Sequence, residues 1–270
     1  MGCDMSLVIL MYHALEGDGS VAYHNAGESL YVLDKSLFYH QMKYLYESGI
    51  KSFSFEEIFS LQKLPRRGVI ITFDDGHVSN FTLAMPILLK YGLHAEFFIT
   101  TGWINTQNYL DSEQVTLLHR KGFSIGAHGK THSFMDDLSD LEVEQELYCS
   151  KLTLEKIIEK PVISFSIPGG RVTRKPNFIN IAKDVGYKIV CTSKPGIVSS
   201  LYQPYSLPRI PIKRCLKFRD FTRIVNGELQ IIHRMRINYH FLSYAKKTIG
   251  NKNYAMLHNL LSMGVRKKTL

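Results

Sequence analysis

Between residues 5 and 212, short apolar runs alternate with stretches of helical periodicity, and this alternation restricts the fold more than any other feature of the chain. The β-like runs are Leu7–Tyr12, Gly68–Phe73, Ala95–Thr100, Phe123–Ala127, Val162–Ile167 and Lys188–Cys191. The helical segments carry start and stop chemistry. Asp34 precedes a helix to Ser48 that Gly49 stops; Ser54 with Glu57 three residues on makes a capping box; Asp111–Lys121, Ser139–Glu159 and Pro176–Val185 complete the set. After Phe73 the pattern predicts a helix to about Tyr91, with Pro86 as a kink. Strands separated by amphipathic helices imply parallel pairing through helical crossovers, hence an α/β fold. About seven such repeats fit a (β/α) barrel better than a compact open sheet, and in barrels the chemistry gathers at the strand C-termini.

Composition sets the outer limits. With 270 residues, 45% hydrophobic and 21% charged, the chain can bury a large core, which excludes disordered, collagen-like and low-complexity classes. No window reaches about 18 consecutive apolar residues, so no transmembrane helix is implied. The start, MGCDMSLVILMYH, shows neither a basic leader nor a small-residue cleavage site, and the expectation is a cytoplasmic protein. Met1–Ser6 fits the myristoylation pattern with Cys3 beside it, but that pattern is short and common. The four cysteines form no C-x-x-C pair, which argues against a zinc knuckle or a disulfide framework.

The net charge of +9 is unevenly placed. Residues 213–270 hold 13 Lys/Arg against Asp220 and Glu228, which is +11 and leaves −2 on residues 1–212. A boundary near 213 follows: a barrel over 1–212 and a basic helical extension over 213–270. Ile231, Ile232, Met235, Ile237, Phe241, Leu242, Tyr244 and Ala245 are spaced for one amphipathic helix, with another expected through Tyr254–Met263. The extension is expected to pack on the barrel with a solvated basic face; peripheral contact with an anionic membrane is the functional alternative. Nucleic acid is not expected, because no binding motif accompanies the charge.

Two motifs carry chemistry. Thr72-Phe73-Asp74-Asp75-Gly76 closes the strand Gly68–Phe73 with two adjacent carboxylates, which are costly to hold together without a compensating cation or donor. Alone, this also reads as a turn with an N-cap aspartate. Gly126-Ala127-His128-Gly129-Lys130-Thr131-His132 follows Phe123–Ala127 and places two imidazoles four residues apart. Alone, these read as surface histidines on a loop. Together, at the ends of two different strands, one carboxylate and two histidines make a facial His/His/Asp set. The spare carboxylate can serve as base for water, and the pattern points to metal-assisted hydrolysis.

T-F-D-D-G followed by H-x-x-x-H resembles the polysaccharide deacetylases, the NodB-homology or carbohydrate esterase family 4 group, over about residues 5–212. The resemblance implies a distorted (β/α) barrel of about seven strands and removal of acetyl from an N-acetylated hexosamine in a polysaccharide or glycan precursor. It assigns Asp74 as general base and Asp75, His128 and His132 as ligands of a divalent metal, Zn²⁺ first, with Ni²⁺, Co²⁺ or Fe²⁺ as alternatives. The family's second motif usually has Ser or Thr after its first His, where this chain has Gly129. In Phe165-Ser166-Ile167-Pro168-Gly169-Gly170-Arg171 the arginine follows the Pro-Gly-Gly turn instead of preceding it. Arg171 is therefore expected to line the groove with Pro168, Gly169 and Tyr12, not to pair with the base. The family's late L-x-H has no counterpart, since Leu207-Pro208-Arg209-Ile210-Pro211 lacks a histidine, and His233 is a weak rival in the basic tail.

A proton must still reach the leaving amine. Met11-Tyr12-His13 resembles the L-M-Y-H opening of the poly-N-acetylglucosamine deacetylases, which makes His13 the expected general acid; a packed strand-end histidine is the plainer alternative. Hydrolysis of another amide or ester by the same site, or glycan binding without turnover, are the rival functions.

Overall fold

A computed structural model describes residues 6–17, 28–61, 63–170, 175–200 and 203–241. Strand β1 (Ser6–Tyr12) is followed by the short pair β2 (Ala14–Glu16) and β3 (Val32–Asp34), which form a small sheet of their own. Asp34 caps α1 (Lys35–Glu47) by accepting the Ser36 and Leu37 amides. Ser54 and Glu57 form the capping box that opens α2 (Phe55–Ser60). Then come β4 (Arg67–Phe73), α3 (Met85–Lys90), β5 (Glu96–Ile99), α4 (Ser112–Arg120), β6 (Ser124–Ala127), α5 (Asp140–Ile158), β7 (Ser164–Ser166), α6 (Phe178–Asp184), β8 (Ile189–Cys191), β9 (Ile210–Pro211) and α7 (Phe218–Val225). The helix expected after Phe73 is modified: a π-helical turn over Asn80–Ala84 precedes α3, and Pro86 sits in the first turn of α3, where its missing N–H costs nothing.

Seven strands form one parallel sheet in the order β8-β7-β6-β5-β4-β1-β9. The segment before β9 bends the sheet back on itself. Leu207 pairs with Cys191 at the β8 edge, while Ile210 and Pro211 pair with Leu10 and Met11 of β1. Leu207–Pro211 thus links the two ends of the curled sheet, as the distorted (β/α) barrel requires.

Strand alternation divides the core in two. Leu7, Ile9, Ile70, Phe98, Ile189 and Cys191 face inward and meet Phe55 and Ile58 of α2. Val8, Leu10, Ile71, Phe73, Phe97 and Phe165 face outward against the helices. Residues after 213 share that outer layer. Phe221, Ile224 and Val225 of α7, and Ile231 and Ile232 of the helical stretch 229–241, are buried in it. The helix expected through Tyr254–Met263 lies outside the described residues.

Candidate active site

The same alternation that sends Ile70 inward sends Thr72 and Asp74 inward at the C-terminal end of β4. Asp74 is nearly sealed from solvent. Its partner is Arg209, which no motif in the sequence had marked. Nη1 donates to Asp74 Oδ1 at 2.7 Å and Nη2 to Oδ2 at 2.7 Å, a bidentate pair. The remaining N–H groups go to Thr72 Oγ1 (3.1 Å), Ser166 Oγ (2.8 Å) and the Thr192 carbonyl (2.9 Å), so all five guanidinium donors are used. Arg209 is fully buried, and its guanidinium lies 5.5 Å from the Phe98 ring centroid. It reaches this position because it falls between Leu207, paired to β8, and Ile210, paired to β1. Burial pushes the Asp74 carboxyl up, but the Arg209 charge, with His128, outweighs it and holds the group below the ordinary carboxylate range.

Asp75 has left-handed backbone (φ 76°), and so has His132 (φ 62°). Non-glycine residues adopt this conformation at a cost, and such strain gathers at functional sites. Asp75 Oδ1 lies 3.4 Å from His128 Nε2 and 3.4 Å from His132 Nε2, and it is buried without a hydrogen-bond partner among the described residues. One ligand atom from each of Asp75, His128 and His132 lies within 4.8 Å of the others. His128 Nδ1 sits 2.8 Å from the Ser166 carbonyl, so that nitrogen carries the proton and Nε2 faces the aspartates. An orphaned carboxylate oxygen facing two imidazole nitrogens is a donor set that fits a divalent metal ion.

Burial and neighbouring charge shift the two imidazoles in opposite directions. Burial pulls His128 down, yet Asp74 and Asp75 raise its pKa overall; burial and His128 lower His132 to about 4, which leaves it neutral at pH 7. Asp75 is pushed up by burial but held well below the carboxylate range by His128, His13 and His132.

His13 stands beside this trio, half-buried at the end of β1, with its ring 4.5 Å from that of Tyr31. Nδ1 is buried without a hydrogen-bond partner among the described residues. Burial lowers its pKa against the pull of Asp75 and Asp74, which places the ring within their electrostatic reach. Pro168 and Gly169 border the histidine loop: a Cβ on Gly129 would stand 3.4 Å from Pro168 Cγ, and one on Gly169 would strike the half-exposed Phe134 ring at 2.3 Å. On the opposite side Trp103 lies over His132, ring centroids 5.0 Å apart. Arg171 lies outside the described residues.

Tyr12 requires a correction. It shares strand parity with Val8 and Leu10, so its side chain enters the outer core instead of the groove. The hydroxyl donates to Gln41 Oε1 (2.9 Å) and the ring packs on Phe38 and Phe73. Only its carbonyl reaches the site, accepting the Asp74 amide at 2.9 Å.

Known proteins resemble this chain in sequence and fold. The polysaccharide deacetylase family model matches residues 62–190. The Bacillus subtilis (strain 168) protein YxkH, assigned by name to the polysaccharide deacetylases, is 30% identical over 210 residues, covering 76% of this chain and 71% of its own length. The chain belongs to the polysaccharide deacetylase family. The poly-β-1,6-N-acetyl-D-glucosamine N-deacetylase of Staphylococcus aureus is 25% identical over 199 residues, covering 67% of this chain and 68% of that protein. Among solved structures, the Streptococcus pyogenes deacetylase PplD in complex with acetate superposes with TM-score 0.71 at 26% identity, over 85% of this chain and 99% of that one. IcaB from Ammonifex degensii shares the fold, with TM-score 0.67 at 20% identity over 82% of this chain and 96% of that one.

Proposed function

We propose that this polysaccharide deacetylase family member is a metal-dependent hydrolase of the N-acetyl group on an N-acetylated hexosamine within a polysaccharide or glycan precursor. The observation that carries the reading is the position of Asp75, His128 and His132 beside a separate carboxylate, Asp74, fixed by a buried arginine. Two imidazoles and one carboxylate favour Zn²⁺, with Ni²⁺, Co²⁺ and Fe²⁺ accepted by the same donors. A divalent cation held there would polarise the acetyl carbonyl and acidify a water molecule.

The chain's own residues supply the rest. Asp74 takes the proton from the attacking water; Arg209 keeps that carboxylate ionised and fixes its orientation. His13 delivers a proton to the amine nitrogen as the C–N bond breaks. Pro168 and Gly169, beside the histidine loop, would border the groove for the sugar, and the Gly169 amide would favour negative charge on the acetyl oxygen. The named activity of the S. aureus relative supports the choice of substrate class, and PplD's name supports deacetylation.

No helix among the described residues is long and apolar enough to cross a membrane. Leu229, Ile237 and Phe241 are exposed on the helical stretch that also carries Arg234 and Arg236. That mixture supports peripheral binding to an anionic membrane at its cytoplasmic face. Flotation with phosphatidylglycerol liposomes tests this; absence of the full chain from the lipid fraction would remove it.

The enzymatic reading is tested by acetate release from chitooligosaccharides and poly-β-1,6-N-acetylglucosamine, with and without chelator. Chelator-sensitive release is expected. A protein that binds the glycan and releases no acetate would be a binding protein instead, and release from simple esters alone would reassign the substrate.

A further inference from the structure

We propose that Glu146 is a positioning residue that clamps the histidine loop into its metal-ligating shape, a proposal that rests on the metal reading above. Glu146 lies on α5, outside both motifs, and is 7% exposed. Its Oε2 accepts the Lys130 amide at 2.7 Å and the Thr131 amide at 2.9 Å, while Oε1 accepts the Thr131 hydroxyl at 2.8 Å. These three donors belong to the two residues directly before His132.

The other edge of the loop is held just as closely. The Thr101 amide donates to the Gly129 carbonyl (3.1 Å) and the Gly102 amide to the Lys130 carbonyl (2.8 Å). The loop is therefore gripped on its carbonyls by the residues after β5 and on its amides by α5. What lies between is the four-residue span that must bring His132 Nε2 and His128 Nε2 to the same side of Asp75 Oδ1. His132 pays a conformational cost for this in its left-handed backbone, and without an external hold the loop would relax away from it.

The clamp also accounts for Gly129. Its φ is +77°, and a Cβ there would stand 3.0 Å from Glu146 Oε2. A serine or threonine at this position, which the resemblance leads one to expect, would be strained and would crowd the carboxylate. Here the carboxylate of the neighbouring helix occupies the space beside Gly129.

The test is Co²⁺ titration of the full chain after metal removal, followed by its visible absorption, at a temperature where circular dichroism shows each protein folded. Glu146→Ala removes all three bonds, and Glu146→Asp keeps the charge but draws the carboxylate back by one methylene. Both should bind Co²⁺ about 10–100-fold more weakly, with an altered absorption band. Glu146→Gln can repeat the pattern, its oxygen on the two amides and its NH₂ donating to the Thr131 hydroxyl, and should restore most of the affinity. Should the alanine variant fail to fold, the aspartate and glutamine variants carry the comparison. Wild-type affinity in the Ala and Asp variants would overturn the clamp, and a glutamine variant as weak as alanine beside an aspartate variant of wild-type affinity would show that charge alone matters and overturn it too. A wild-type chain that takes up no Co²⁺ would overturn the metal reading and the clamp together.

Discussion

Asp74 and Asp75 are consecutive, yet they inhabit opposite physical regimes. Asp74 faces the barrel interior, where the bidentate Arg209 saturates its charge and both partners are dry. Asp75 faces the rim, on strained backbone, with an oxygen that has no hydrogen bond among the described residues and two imidazoles at 3.4 Å. Satisfied groups stabilise a fold; groups held close together and left unsatisfied stand ready for a ligand. In the proposed reaction one dipeptide across a strand end divides the work, the interior residue serving as base and the rim residue receiving a cation.

The sharpest break in this comparison is Asp74→Asn. Turnover should fall by roughly 10²–10⁴-fold, the range for loss of a general base, while metal content by elemental analysis stays at the wild-type level. Loss of metal together with activity would merge the two aspartates into one role. Next in size is Arg209→Met, which leaves a buried carboxylate without its partner. Denaturant unfolding should show a loss of about 3–5 kcal/mol, whereas an unchanged midpoint would mean that Asp74 is not held by this pair.

Glu96 extends the comparison deeper into the interior. It is buried at the start of β5, hydrogen-bonded by Ser164, and burial raises its pKa to about 7. A folded-state pKa above the unfolded one stabilises the fold fully below the unfolded value near 4.5, and that contribution is lost as pH rises through about 7. Between pH 5 and 8, wild type should lose on the order of 1–3 kcal/mol relative to Glu96→Gln. Parallel stability curves for the two proteins would contradict this. The smallest effect belongs to the rim. His132→Gly removes a ligand and relieves left-handed strain, so metal binding should weaken while stability without metal stays within about 1 kcal/mol or rises. A large fall in stability would place His132 with the structural interior.

Much of this was legible in the sequence. The caps at Asp34, Ser54, Asp111 and Ser139 mark helix starts because a side-chain oxygen there satisfies local amides, a purely local rule. The D-D and H-x-x-x-H motifs stand out because both elements of each lie within a few residues at a strand end. Arg209 and Glu146 were not legible in the same way. Each acts across the fold, 135 residues from Asp74 and 15 from Thr131, so no spacing rule connects them. The available signal for Arg209 was a lone cation in the apolar run Leu207–Ile212, a charge that can be buried only if paired. Tyr12 misled for the opposite reason. Proximity to His13 in sequence suggested the groove, while strand parity sent the side chain to the other face.

The central claim is that one cation, held by Asp75, His128 and His132, makes this chain a deacetylase. Its most direct test is acetate release from poly-β-1,6-N-acetylglucosamine by protein stripped with chelator and then given one equivalent of Zn²⁺. The account predicts near-zero release after stripping and recovery with that single equivalent. Undiminished release from stripped protein would contradict it.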